Sequence, residues 1–341
     1  MEMRVLGSTG VHVSSFCLGA MMFGGTWGNP DHDDGVRIIQ RALDAGINFV
    51  DTADVYSEGE SEVIVGKALA GRRDNVVLAT KAHGVMGKDV NERGNSRRWL
   101  IRECEASLRR LGTDYIDLYQ IHRPDPETDI DETLGALSDL IRAGKICYAG
   151  TSTFPAEQIV EAQWTAQRRG RERFVCEQPP YSILVRGVET AVLPTCQRYD
   201  MGVITWGPLA SGWLSGQYRL DTELPASQRS RRLPQRFDMS LPANRAKLDA
   251  ADKLAKLAAE AGMSLIHLAL GFVVSHPAVT SAILGPRTME HLESQLGAPP
   301  DGLHADLLDR IDEIVSPGVN LNPADGSYVP PALADSALRR R

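Results

Sequence analysis

Four polar side chains, Asp51, Tyr56, Lys81 and His122, stand at or just beyond the ends of apolar runs in NFVDTADVY, VVLATK and IDLYQIH. A carboxylate, a phenol, an ammonium and an imidazole converging on one point make a proton-donating site for a carbonyl oxygen. When a carbonyl carbon takes up a hydride, negative charge grows on its oxygen, which then needs a proton donor and an oriented dipole. Tyr56 is the donor in this reading. A free phenol titrates near about 10, and the Lys81 ammonium is expected to favour the phenolate and lower that value. Asp51 keeps Lys81 charged and in place, and His122 donates a hydrogen bond that orients the substrate oxygen. Taken singly, each residue has a plain structural reading: a turn carboxylate, a loop aromatic, a solvated strand-end lysine, a histidine leaving for solvent before Arg123 and Pro124. Their joint occurrence at successive strand ends carries the chemistry.

Such residues meet only if parallel strands point their C-terminal ends at one mouth, as in a closed barrel. The strand candidates are 16–21, 47–52, 75–80, 115–121, 147–152, 174–178, 202–206 and 281–285. Helix candidates at 34–45, 60–70, 96–110, 131–143, 155–168, 187–199 and 264–275 alternate with them. Gly46, Gly144 and Gly202 mark helix-to-strand junctions, and Pro155 suits a first helical position. Eight strand–helix units predict an α/β chain folded as a (β/α)8 barrel, in preference to an open doubly wound sheet. RVLG, a turn at Ser8–Gly10 and VHVSS predict an N-terminal β-hairpin, a candidate plug for one end of the barrel. Residues 1–317 are read as a single catalytic domain. A long loop at 212–245 follows strand seven, an additional helix covers 245–261, and an irregular Pro/Gly-rich tail occupies 318–341.

The bulk properties exclude several functions. A net charge of −7 over 341 residues gives no reason to expect a nucleic-acid partner. Five scattered cysteines without a CxxC pair predict reduced thiols and a cytoplasmic location. MEMRVLGSTG has no apolar signal core, and no run of roughly 18 apolar residues suggests a membrane span. The eight histidines show no HxH or HExxH spacing, so no metal site is expected. Neither GxGxxG after a strand nor GxxxxGK[ST] occurs, which disfavours a Rossmann or P-loop nucleotide site. Gly285 and Arg287, by contrast, precede a helix starting near Thr288, a suitable seat for phosphate. Trp206, ending strand seven, could stack on a flat ring.

The chain resembles the aldo-keto reductase superfamily from about Arg4 to about Pro317. DTADVY, LATK, SLRRLGTDYIDLYQIHRPD, GTST (150–153), EQPPYS (177–182), WGPLASGWLSG (206–216) and ILGPRT (283–288) carry the resemblance, in the family's order. It implies a TIM barrel binding NADP(H), with Asp51, Tyr56, Lys81 and His122 as catalytic tetrad. It further implies that Ser152, Thr153 and Gln178 hold the nicotinamide carboxamide and that Trp206 stacks on the ring. The backbone of Gly207, Pro208, Leu209 and Ser211 would follow the pyrophosphate, and Gly285, Arg287, His291 and Gln295 the adenosine 2′-phosphate side. Thr153 stands where many members have Asn, and His291 and Gln295 replace the Arg or Gln and the Asn often found there. Arg287 stands where it can supply the phosphate contact these replacements remove, so NADPH is still expected ahead of NADH. WGPLASGWLSG and the loop after it place the chain nearer the bacterial and potassium-channel β-subunit branch.

The substrate is expected to be a small carbonyl compound, with Phe23, Trp27 and Arg123 lining its pocket beside Trp206. The loop arginines Arg229, Arg231, Arg232 and Arg236 are read as solvated in preference to recruiting an anionic substrate or folding over the cofactor. The rival reading is a nucleotide-bound redox sensor or binding subunit with slow reductase activity, like channel β-subunits. A metal-dependent isomerase barrel lacks its ligand cluster. A homo-oligomer is compatible with the sequence.

Overall fold

Leu6 and Val13 explain why the chain opens with a hairpin. β1 (Met3–Val5) pairs antiparallel with β2 (His12–Ser14), and the side chains of Leu6, just after β1, and Val13, within β2, are fully buried inside one end of the barrel that follows. At Gly7, with φ of +53°, a Cβ would lie 2.6 Å from Asp200 O and from Gly202 N, so no larger residue fits there. The computed structural model describes residues 1–26, 28–225, 228–326 and 328–340, without the side chains of Gln228 and Arg229.

Eight parallel strands form the barrel: β3 (Phe16–Gly19), β4 (Phe49–Asp51), β5 (Val77–Ala82), β6 (Ile116–Ile121), β7 (Ile146–Ser152), β8 (Phe174–Gln178), β9 (Gly202–Thr205) and β10 (Ser281–Leu284). They pair in chain order, and β10 returns to β3 to close the ring. The fold is thus a (β/α)8 TIM barrel with an N-terminal hairpin, as the sequence predicts. Strand alternation divides the apolar residues into two cores. Cys17, Phe49, Ala79, Leu118, Cys176, Ile204 and Ile283 fill the interior with Leu6 and Val13. Val50, Leu78, Tyr119 and Val203 belong to the larger core shared with the surrounding helices.

The helices are α1 (His32–Asp44), α2 (Glu60–Leu69), α3 (Arg97–Leu111), α4 (Ile130–Arg142), α5 (Ala156–Arg169), α6 (Val192–Arg198), α7 (Gln228–Arg232), α8 (Pro242–Glu260), α9 (Leu265–Ser275), α10 (Met289–Leu296), α11 (Ala305–Ile314) and α12 (Pro331–Ala334). Asp31, Ser96, Asp129, Ser264 and Thr288 accept backbone N–H bonds at their N-termini, and glycines in the left-handed region close α3 and α5. Pro155 occupies the N-cap, one residue before the expected position. Among the described residues no single helix is long and apolar enough to cross a membrane; α8 and α9 reach that composition only as a pair bent by 94°.

The tail departs from the expected irregularity at its beginning. Arg186 N–H donates to Val319 O (3.0 Å), Leu321 N–H to Leu184 O (3.1 Å) and Gly187 N–H to the Asn320 side chain (2.7 Å). Asn322 donates to Asn244 Oδ1 (2.7 Å), and the fully buried Lys247 donates to Asp325 (2.8 Å). Residues 319–325 are held by the backbone of the loop after β8 and by side chains of α8. Such long-range partners leave no trace in local Pro/Gly composition.

Candidate active site

The period of two that fills the barrel interior also builds the site. On β4 the step from Phe49 to Asp51, on β5 from Ala79 to Lys81, and on β6 from Leu118 to Gln120 each turn an apolar interior into a polar one at the C-terminal end. Register sets the β5 and β6 steps level, Lys81 pairing with Gln120, and staggers β4 against them by two residues, Asp51 pairing with Ala79. His122 follows β6 and donates its N–H to Ala82 O at 3.0 Å.

Lys81 Nζ donates to Asp51 Oδ1 at 2.5 Å and to Thr52 O at 2.8 Å, and both charged side chains are essentially sealed from solvent. The other carboxylate oxygen of Asp51 accepts from Gln120 (3.0 Å) and Gln178 (2.9 Å). Lys81 also reaches Tyr56 Oη at 3.4 Å. Tyr56 begins a turn in which Ser57, Glu58 and Gly59 all have positive φ, a strained run that presents the phenol to the mouth. Its ring meets that of His122 edge-on, centroids 5.7 Å apart. Inner pair buried, outer pair half-buried, the four residues form a chain from the interior to solvent.

The charges set the protonation states. Burial pulls Lys81 down, but Asp51 and Tyr56 together outweigh it and leave the ammonium above its ordinary value. Burial pushes the Tyr56 phenol up, and this outweighs the lowering by Lys81. The net lowering expected from sequence is therefore reversed, chiefly by desolvation, with the Asp51 carboxylate adding to it. Burial, Lys81 and Arg123 hold His122 well below the usual range, so its imidazole is neutral at pH 7.

The expected cofactor residues fall along the same end of the barrel. Ser152 ends β7 and donates to Gln178 O (2.9 Å), and Thr153, at φ +63°, donates its N–H to the same oxygen (3.2 Å). Gln178 itself is committed to Asp51 and Gln120. Trp206 follows β9, its indole N–H buried without a partner among the described residues. After it, Gly207, Ala210 and Ser211 take positive φ around Pro208 and Leu209. Arg236 and Asp325 lie over this segment, leaving about 20 Å³ beside Trp206, Gly207 and Ser211. Gly285 follows β10 with open space where a Cβ would be. Arg287 is half-buried and His291 exposed, while Gln295 is buried on α10. A larger hollow of about 790 Å³, lined by Ser8, Thr9, Tyr148, Gln163 and Arg171, lies at the hairpin end and holds none of the tetrad.

The expected substrate pocket is changed. Phe23 is fully buried in the helix-side core, against Gly35 of α1, because the chain after β3 folds inward there; it does not line an open mouth. Trp27 and the Arg229 side chain lie outside the described residues. Arg123 does face the mouth, donating from Nη1 to His122 O (2.7 Å), Thr153 Oγ1 (2.9 Å) and Ser152 Oγ (3.4 Å). Two residues of the site escape the sequence reading. Gln120, two positions before His122, could have been found by strand periodicity. Glu177, fully buried and pushed up to about 7 by desolvation, sits behind Thr151 and Phe154.

Comparison with known proteins agrees with this geometry. The Aldo/keto reductase family model matches residues 15–316. The chain is 37% identical to the uncharacterized oxidoreductase YrpG of Bacillus subtilis over 98% of its length and all of that protein's. It is 36% identical to the aldo-keto reductase YhdN of the same organism, covering 86% of this chain and 87% of that one. A probable voltage-gated potassium channel subunit beta of Arabidopsis thaliana is 35% identical, over 92% of this chain and 97% of its own. Family membership brings oxidoreductase chemistry on small carbonyl compounds with a nicotinamide cofactor. With the barrel, the strand-end site and these matches together, the chain belongs to the aldo/keto reductase family.

Proposed function

We propose that this chain is an NADPH-dependent reductase of aldehydes or ketones in which Tyr56 is the general acid. The observation that carries the reading is the sealed Asp51–Lys81 pair ending on the Tyr56 phenol, with the neutral His122 beside it. A nicotinamide cofactor suits the residues present. The unpartnered Trp206 N–H and the positive-φ turns at Gly207, Ala210 and Ser211 offer an aromatic face and open backbone to a flat ring and a pyrophosphate. For these, the Arg236–Asp325 wall would have to give way beyond the space of about 20 Å³ it leaves. Ser152, Thr153 and Gln178 would hold the carboxamide, Trp206 the ring face, and Gly207, Pro208, Leu209 and Ser211 the pyrophosphate. Gly285, Arg287, His291 and Gln295 would take the adenosine side, and Arg287 favours NADPH over NADH through its charge on a 2′-phosphate.

The reduced nicotinamide, when bound, supplies a hydride to the carbonyl carbon. His122 orients the carbonyl oxygen with a neutral N–H. Tyr56 Oη gives its proton to the oxygen as charge develops, and the phenolate left behind is stabilised by Lys81, 3.4 Å away. Asp51, held by Gln120 and Gln178, keeps Lys81 aimed. A cytoplasmic setting is supported by five cysteines that are all free thiols, four of them buried.

The test is NADPH consumption with aromatic, aliphatic and sugar aldehydes, with Tyr56→Phe beside the native protein. Turnover is expected to fall by about 10²–10⁴-fold while nucleotide binding persists. Similarity to the Arabidopsis channel subunit favours a second reading, a nucleotide-bound sensor with slow chemistry. Tight nucleotide binding with no turnover on any aldehyde would favour that one.

A further inference from the structure

Arg123 is a half-buried cation at the barrel mouth. Among the described residues no carboxylate lies within ion-pair distance of it, and its hydrogen bonds all leave from Nη1, to a carbonyl and two hydroxyls. The carboxylate whose field reaches it, Glu177, is turned elsewhere: one oxygen accepts from Thr151 Oγ1 (2.5 Å) and the other from Phe154 N–H (3.1 Å). Nε and Nη2 therefore keep an unused fork, the geometry that grips a carboxylate through two parallel bonds.

Position separates this fork from the cofactor's phosphates. Arg123 follows β6, which lies across the barrel from β10, whereas the phosphate segments follow β9 and β10. It is next to His122 in the chain and close enough to Tyr56 for its charge to act on the phenol. An anion paired with Arg123 would sit beside the reacting carbonyl.

We propose that Arg123 selects the substrate, and that the substrate is a carbonyl compound carrying a carboxylate. The proposal rests on the reductase reading above. It also implies an order of binding. Ser152 and Thr153, which now accept from Arg123 Nη1, are the hydroxyls assigned to the nicotinamide carboxamide; cofactor binding would draw them off Nη1 and let the unused fork turn toward the substrate.

The test compares 4-carboxybenzaldehyde with the similarly shaped, uncharged 4-nitrobenzaldehyde in NADPH-dependent turnover by native protein, Arg123→Gln and Arg123→Lys. The selectivity ratio, carboxylate over nitro in kcat/KM, is expected to fall about 10- to 100-fold in Arg123→Gln, the range for one lost charge-assisted contact. Arg123→Lys, which keeps the charge without the fork, should fall between. An unchanged ratio in both variants overturns the proposal and leaves Arg123 a support for His122. Calorimetric binding of 4-(hydroxymethyl)benzoate against 4-nitrobenzyl alcohol, with and without NADP⁺, keeps the test independent of turnover. Anion-selective binding that Arg123→Gln abolishes supports the site even where no aldehyde is reduced, a result that would count against the reductase reading alone. Equal affinity for the two alcohols in native protein overturns the site.

Discussion

Replacing Glu177 by Gln should make the protein more stable, and increasingly so as pH rises. The carboxyl is fully buried at the end of β8, and desolvation raises it from an ordinary 4.5 to about 7 despite the bonds from Thr151 and Phe154. A raised carboxyl binds its proton more tightly in the folded chain than in the unfolded one. Stability from this group is therefore full below about pH 4.5 and is lost progressively as pH climbs to about 7, beyond which the loss is constant. A shift of that size corresponds to about 3 kcal/mol. Glutamine keeps an oxygen for the Phe154 N–H and an amide that can donate to Thr151 Oγ1, but has no proton to lose. For a chain of this length, that energy is roughly 4 °C in Tm. Thermal melts of both proteins between pH 4.5 and 8.5 should coincide at the acid end, diverge in favour of Glu177→Gln, and run parallel above about pH 7. A difference that does not grow with pH would refute the reasoning, since Glu177 would then ionise in place at no cost, with Arg123 as the cation compensating it.

Three further outcomes test the fold and the site. Asp51→Asn and Lys81→Met should each destabilise by about 3–5 kcal/mol, because each leaves a sealed charge alone, and the double variant should cost less than the sum; additive losses in urea unfolding would contradict the pair. Because burial holds the Tyr56 phenol above its ordinary value, reduction should show no loss from phenol ionisation up to about pH 9.5 in a pH–kcat profile, and an earlier fall would mean that Lys81 dominates after all. Leu6→Ala opens the plugged end of the barrel and should cost about 2–5 kcal/mol in unfolding experiments, with a near-zero cost meaning that the hairpin is not part of the core.

The barrel and three of its four central residues were legible because they follow the strand period. Phe49 to Asp51 and Ala79 to Lys81 are steps of two, and the same count run back from His122 finds Gln120. Tyr56 was legible by its residue type and its place in DTADVY, not by any period. Resemblance, not periodicity, pointed to Ser152, whereas Trp206 was read from its place at the end of strand seven. Other features depend on contacts far apart in the chain. Phe23 looked like a loop aromatic, yet the chain after β3 folds it onto α1. Asn322 and Asp325 sat in a segment of loop composition, and Asn244 and Lys247, 78 positions earlier, together with Gln235 and Arg236, make them structural. The direction of the Tyr56 shift was misjudged for a related reason. Residue types give the sign of a neighbouring charge, whereas the weight of desolvation depends on how much chain covers the group.

Closure of the ring pairs Phe16 with Ala282 and Leu18 with Leu284, opposite ends of the barrel's run of chain. During synthesis from the N-terminus, the strands from β3 to β9 can associate as they are made, but both outer edges stay unpaired until β10 arrives. Open parallel edges are the surfaces on which unfinished chains stick to one another. The wall over Trp206 comes later still, since Asp325 lies well beyond β10. The order of translation thus places the finishing of the mouth after the sealing of the edges.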